Sequence, residues 1–209
     1  MWSKRKSKKS IRQGVIGWTL LFGVALIDTG FSQVPASERE QIEYVVLATS
    51  QTSTMQDELN EAADAGYRFV GVMGGDTAFG GSEVVAVMAR PSDAMPRFQY
   101  RLLATSRTST MQNEMQEAGD AGFEYRGQTV FSSRFGGDET VVILERDELA
   151  EPLIEFEYRL LATSKTATMQ NELREAGEAG FEFVGLTVAS TRFGGQELVS
   201  ILRRPVPSQ

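Results

Sequence analysis

Thr105-Ser106-Arg107-Thr108-Ser109-Thr110-Met111-Gln112-Asn113-Glu114 is one of three nearly identical stretches, the others starting at Thr49 and Thr163. Each follows a tyrosine-led apolar run and precedes a helix-like segment ending in Ala-Gly-aromatic. The stretch is therefore the hinge of a repeated unit. The unit runs Tyr44–Arg90, Tyr100–Arg146 and Tyr158–Arg204, with offsets of 56 and 58 residues. Copies two and three agree at 33 of 47 aligned positions, which marks duplication. Domain boundaries follow at 43–91, 99–147 and 157–205, with Pro91–Arg97 and Asp147–Pro152 as short linkers carrying prolines and charges.

Within copy two, Tyr100–Thr105 is apolar and bounded by a Ser/Thr cluster, as a strand is. Met111, Met115, Ala118 and Gly119 then recur at i, i+4, i+7 and i+8, the buried stripe of a helix. Gly122 stands at the C′ position. Phe123–Phe131 has period two, and a Phe-Gly-Gly turn leads into Glu139–Arg146. The unit is β-α-β-β, and the fold class is α+β. The final strands, Val84–Met88 and Thr140–Leu144, are apolar on both faces. One helix covers one face, so the other is expected to meet the sister repeats. Mixed sheets packed as a pseudo-threefold barrel or sandwich, with helices outside, are the expected architecture.

The run Glu-Ala-Gly-(Asp/Glu)-Ala-Gly-Phe-Glu-(Tyr/Phe) at Glu117–Tyr125 and Glu175–Phe183 opens a glycine-turn hairpin and a strand that ends in arginine. It resembles small bacterial β-α-β-β domains of unknown function. The resemblance implies the fold of each unit and brings no catalytic residues. In copy one, Tyr67-Arg68 departs from the pattern.

The chain has no cysteine and no histidine, which excludes disulfides, imidazole bases and the usual soft metal ligands. Beyond residue 32 there are 15 basic and 27 acidic residues. A body so acidic repels phosphate backbones, so no nucleic-acid partner is expected. Fourteen of those 15 are arginine, leaving Lys165 as the single lysine. Serines lack a histidine or recurring lysine to activate them, and no loop has the spaced ligands of a calcium site. Glu58, Glu114 and Glu172 border the helical stripe without a defined pairing. No enzyme activity, cofactor or metal is expected.

Six basic residues precede position 13, and Gly14–Ile27 is an uncharged, mostly apolar run. Residues 1–32 therefore have the layout of a secretory signal, with Gly30 and Ser32 as the small residues before a cleavage point. Extended over residues 11–31, the same run reaches about 21 residues, near the span of a bilayer, as a retained membrane anchor would. Both readings stay open. Both place the body on the periplasmic or extracellular side of the cytoplasmic membrane.

Three candidate surfaces remain. The hinges precede helix N-termini, where free N–H groups favour an anion. Arg107, Thr108, Ser109, Lys165 and Thr166 would serve it, although Ser109 with Gln112 and Ser53 with Gln56 also fit a capping box. Arg101 and Arg134 with Arg107, and Arg159 and Arg192 with Lys165, form a basic trio in each of copies two and three. These trios would hold a small anionic ligand or pair with neighbouring glutamates. Phe79, Phe135 and Phe193 stand beside glycines at the hairpin tips and would form an apolar contact surface if exposed. The preferred function is a non-catalytic exported scaffold with a protein partner, as an accessory subunit of a membrane complex. The alternative is a periplasmic binder of a small anion at the hinges of copies two and three.

Overall fold

A computed structural model describes residues 41–77, 81–133, 137–190 and 195–206. The segment 1–32, read above as signal or anchor, lies outside the described residues. Among the described residues no helix is long and apolar enough to cross a membrane.

Three β-α-β-β units follow one another. Unit 1 comprises β1 (Ile42–Thr49), α1 (Thr52–Asp64), β2 (Arg68–Thr77) and β3 (Gly81–Pro91). Unit 2 comprises β4 (Phe98–Thr105), α2 (Thr108–Asp120), β5 (Glu124–Ser133) and β6 (Gly137–Asp147). Unit 3 comprises β7 (Phe156–Thr163), α3 (Thr166–Glu178), β8 (Glu182–Ser190) and β9 (Gln196–Pro205). Each helix ends as the glycine pattern requires: Gly66, Gly122 and Gly180 take φ of 87°, 80° and 83°. The next residue's N–H bonds back into the last turn, as Phe123 does to the Ala118 carbonyl at 2.9 Å.

Every sheet has three strands, in the orders β1-β3-β2, β4-β6-β5 and β7-β9-β8. All pairings are antiparallel, so the expected mixed sheets do not form. The helix returns the chain so that the first two strands run the same way, and the hairpin then inserts the third strand between them. A bulge recurs in the second strand of every unit, at Phe69/Gly71, Tyr125/Gly127 and Phe183/Gly185.

The two-faced last strand does meet a sister unit. Val142 and Leu144 of β6 join a core with α2 residues Met111, Met115 and Ala118. Val141 and Ile143, on the opposite face, join unit 1's core of Met55, Leu59, Ala63, Val84, Ala86 and Met88. Unit 3 repeats this with Val199 and Ile201 against unit 2. The sheets nevertheless do not close into a barrel. Nor do α1 and α2 lie simply outside: α1 packs chiefly on β4, and α2 on β7, the first strands of the following units.

The reason lies in the strand edges. A first strand such as β4 is paired on one side only, leaving backbone groups to be satisfied on the other. Asn60 of α1 donates to the Tyr100 carbonyl at 3.0 Å and accepts the Tyr100 N–H at 2.8 Å. Gln56 accepts the Leu102 N–H at 3.0 Å. Gln112 of α2 donates to the Tyr158 carbonyl at 2.9 Å and accepts the Leu160 N–H at 2.8 Å, while Gln116 accepts the Tyr158 N–H at 2.9 Å. Side-chain amides on a helix thus act as an extra strand for the next unit.

Candidate functional site

The hinges fold as tight turns. Thr49, Thr105 and Thr163 each accept the N–H of the residue two further on, at 3.2, 3.2 and 3.1 Å. The helices then start from extended Gln51, Arg107 and Lys165, none of which makes a side-chain cap. The capping boxes do not form. Ser53 and Ser109 lie already inside the helices, and Gln56 and Gln112 are drawn away to the neighbouring strands. Arg107, Ser109, Lys165 and Thr166 are exposed, whereas the Thr108 hydroxyl donates to Glu197 of unit 3 at 2.7 Å.

Of the basic trios, Arg101 and Arg159 turn to groups of their own units. Arg101 meets Glu117 at 3.3 Å and lies over the Phe123 ring, 5.3 Å from its centroid. Arg159 lies over Phe181 at 4.0 Å. Arg134, Arg192 and the tip residues Phe79, Phe135 and Phe193 lie outside the residues whose side chains are described. The arginine closing each unit has a structural task. Arg90, Arg146 and Arg204 donate to the carbonyls of Ala65, Ala121 and Ala179, where the helix dipole is negative.

The most elaborate chemistry sits where units join. Tyr100, 2% exposed, accepts the Phe69 N–H at 2.8 Å and donates to Glu145 at 2.7 Å. Tyr158, 3% exposed, accepts the Tyr125 N–H at 2.6 Å and donates to the Phe123 carbonyl at 2.9 Å. Burial holds both phenols protonated well above the usual tyrosine range, and the Glu145 carboxylate adds to this at Tyr100. Beside Tyr100, Arg68 of unit 1 forks onto Glu145 of unit 2, with Nη2–Oε1 at 2.8 Å and Nε–Oε1 at 3.1 Å. That hydrogen bond is the main reason the guanidinium titrates above its ordinary value. The equivalent positions of the second junction hold Glu124 and Arg203, which also pair, with the signs exchanged. Arg68, Glu124, Glu145 and Asp147 line a cleft of about 170 Å³, floored by apolar Phe98 and Phe156.

Glycines allow the close approach. A Cβ on Gly119 would run into the Phe156 carbonyl and the Tyr158 ring, and one on Gly127 would press on Phe69 at 3.3 Å. At the two ends of the stack the same positions are open: among the described residues nothing lies within 4 Å of a Cβ on Gly71 or Gly177.

Those ends expose what the junctions bury. On unit 1, Tyr44, Val46 and Met73 are 66%, 62% and 60% exposed, beside half-buried Val85 and Val87. The register Val46↔Val87 and Met73↔Val85 puts them on one face. On unit 3, α3 buries only Ala176 of its stripe, leaving Met169 and Leu173 half-buried and Gln170 exposed. This surface is what sequence reasoning missed. Its signal was present in the recurring Gln56, Gln112 and Gln170, which are polar residues adjoining an apolar stripe. Compared with protein-family models, curated proteins and solved structures, the chain finds no match in any of the three.

Proposed function

We propose that the protein is a non-catalytic scaffold that works through protein contacts on the outer side of the cytoplasmic membrane, as an accessory subunit of a larger assembly. The observation that carries this reading is the apolar sheet face of Tyr44, Val46 and Met73, beside the β1 edge, which no helix amide covers among the described residues, in contrast to β4 and β7. Exposed apolar patches of this kind mark protein contacts, and an uncovered edge strand adds main-chain donors and acceptors to them. The placement outside the membrane rests on the basic flank and apolar run of residues 1–32.

The test is native separation of the chain extracted from its own membranes and soluble fraction, followed by identification of whatever migrates with it. The expected result is an assembly heavier than the 23.0 kDa chain. A lone chain in every fraction would overturn the reading.

A further inference from the structure

The two open ends are the two halves of one junction. We infer that the α3 face of one copy takes the β1 edge of a second copy, head to tail, rebuilding between chains the contact that twice joins units within a chain. This deepens the scaffold reading by naming the partner as the chain itself.

The two ends match residue by residue. Tyr44 holds the place of Tyr100 and Tyr158, whose rings and hydroxyls are buried against the preceding unit. Gln170 holds the place of Gln56 and Gln112, the amides that satisfy a following strand edge. Gly177 keeps open the space into which Gly119 admits the Phe156 backbone and the Tyr158 ring. Phe183 is 49% exposed, whereas its counterpart Phe69 is 7% exposed and packs on Gly127. Gly71, the counterpart of Gly127, stands open to receive it. Among the described residues none of these features meets a neighbouring unit, and each has its complement at the other end.

Two positions depart from the internal junctions and set the strength. Arg174 replaces the amides Asn60 and Gln116, so it can donate to a strand carbonyl but cannot accept a strand N–H. Ala89 stands where Glu145 and Arg203 supply one half of an ion pair, so Glu182 would find no cation opposite. The contact between chains is therefore weaker than those within, and reversible. Because the two surfaces differ, the association is heterologous and extends into a ring or an open filament.

The experiment uses the full chain in mild detergent, with its mass followed by sedimentation from about 1 to about 100 μM. The wild type is expected to grow with concentration in multiples of 23.0 kDa. Gly177→Leu, whose Cβ has nothing within 4 Å of it among the described residues, should raise the dissociation constant at least about tenfold. Ala89→Arg, opposite Glu182, should lower it severalfold. Circular dichroism of both variants should match the wild type. The chain has no cysteine, so single Ile42→Cys and Arg174→Cys variants, at the places of Phe156 and Gln116, which meet at 3.4 Å, can be mixed and treated with a short bismaleimide. Only the mixed 42–174 product is expected.

A monomer at the highest concentration, an assembly indifferent to Gly177→Leu, or 42–42 and 174–174 products would each overturn the inference. Failure here is separable from failure of the scaffold reading. A chain that is monomeric when pure yet migrates with other proteins from its membranes defeats only the self-association.

Discussion

The reversed ion pairs at the two internal junctions predict the behaviour of a double charge swap. Arg68→Glu would set a second carboxylate against Glu145, which is 3% exposed in its side chain and already accepts from Tyr100. Breaking a buried pair and leaving its charge uncompensated costs about 3–5 kcal/mol. Arg68 is itself 47% exposed, so solvent relieves part of that, and we expect about 3 kcal/mol. Glu145→Arg alone should cost a similar amount by placing two guanidinium groups together. The double variant Arg68→Glu/Glu145→Arg recreates the arrangement of Glu124 and Arg203. There the tyrosine hydroxyl turns to a backbone carbonyl, as Tyr158 does to Phe123. Arg126, 3.5 Å from Glu145 and 3.8 Å from Glu124, leaves some residual repulsion. The double variant should therefore fall within about 1 kcal/mol of wild type, a coupling of several kcal/mol in the mutant cycle. Hydrogen exchange is the assay, because neighbour-coupled units open individually. Each single variant should expose the amides of β1, β2 and β3 while those of β7 and β9 stay protected, and the double should restore them. A double variant as unstable as the sum of the singles would refute the idea that the junctions are interchangeable in polarity.

Two further outcomes follow from the same junctions. Gly177→Ala should stabilise α3 by up to about 1 kcal/mol through helix propensity, whereas Gly119→Ala, one repeat earlier, should cost about 1–3 kcal/mol through overpacking; denaturant midpoints of opposite sign are the readout, and equal shifts would count against the packing. Tyr100 and Tyr158 have pKa values raised on folding, so their stability contribution is complete below about pH 10 and lost as pH rises above it, where the unfolded chain ionises first. At pH 11 each costs about 1.4 kcal/mol, and a urea midpoint unchanged between about pH 9 and about pH 11 would contradict the burial of these phenols.

Much of this fold was legible in the chain. The threefold repeat, the helical stripe at Met111, Met115 and Ala118, and the glycines at 66, 122 and 180 are local signals, and each is realised. The two-faced apolar strand also announced a sister unit on its second face, and Val141 and Ile143 find it there. What misled was the hinge. Ser109 and Gln112 satisfy the spacing of a capping box, but the amide gains more by satisfying a strand edge in the next unit, a partner 46 residues away that no local pattern names. Two members of the basic trios are held within their own units for a related reason. Arg101 and Arg159 lie over the phenylalanines of their own units, and an aromatic face competes with any shared ligand for a guanidinium.

By itself, then, the sequence determined the content of each unit, because helix period, strand period and glycine stops are set by residues within a few positions of one another. Only the tertiary structure decided how units join: antiparallel sheets in an unclosed stack, helix amides completing the next unit's edge, and ion pairs of alternating sign. Those features depend on groups whose proximity is created by folding. Among the described residues, the first unit's edge strand and the last unit's helix face have no neighbouring unit against them.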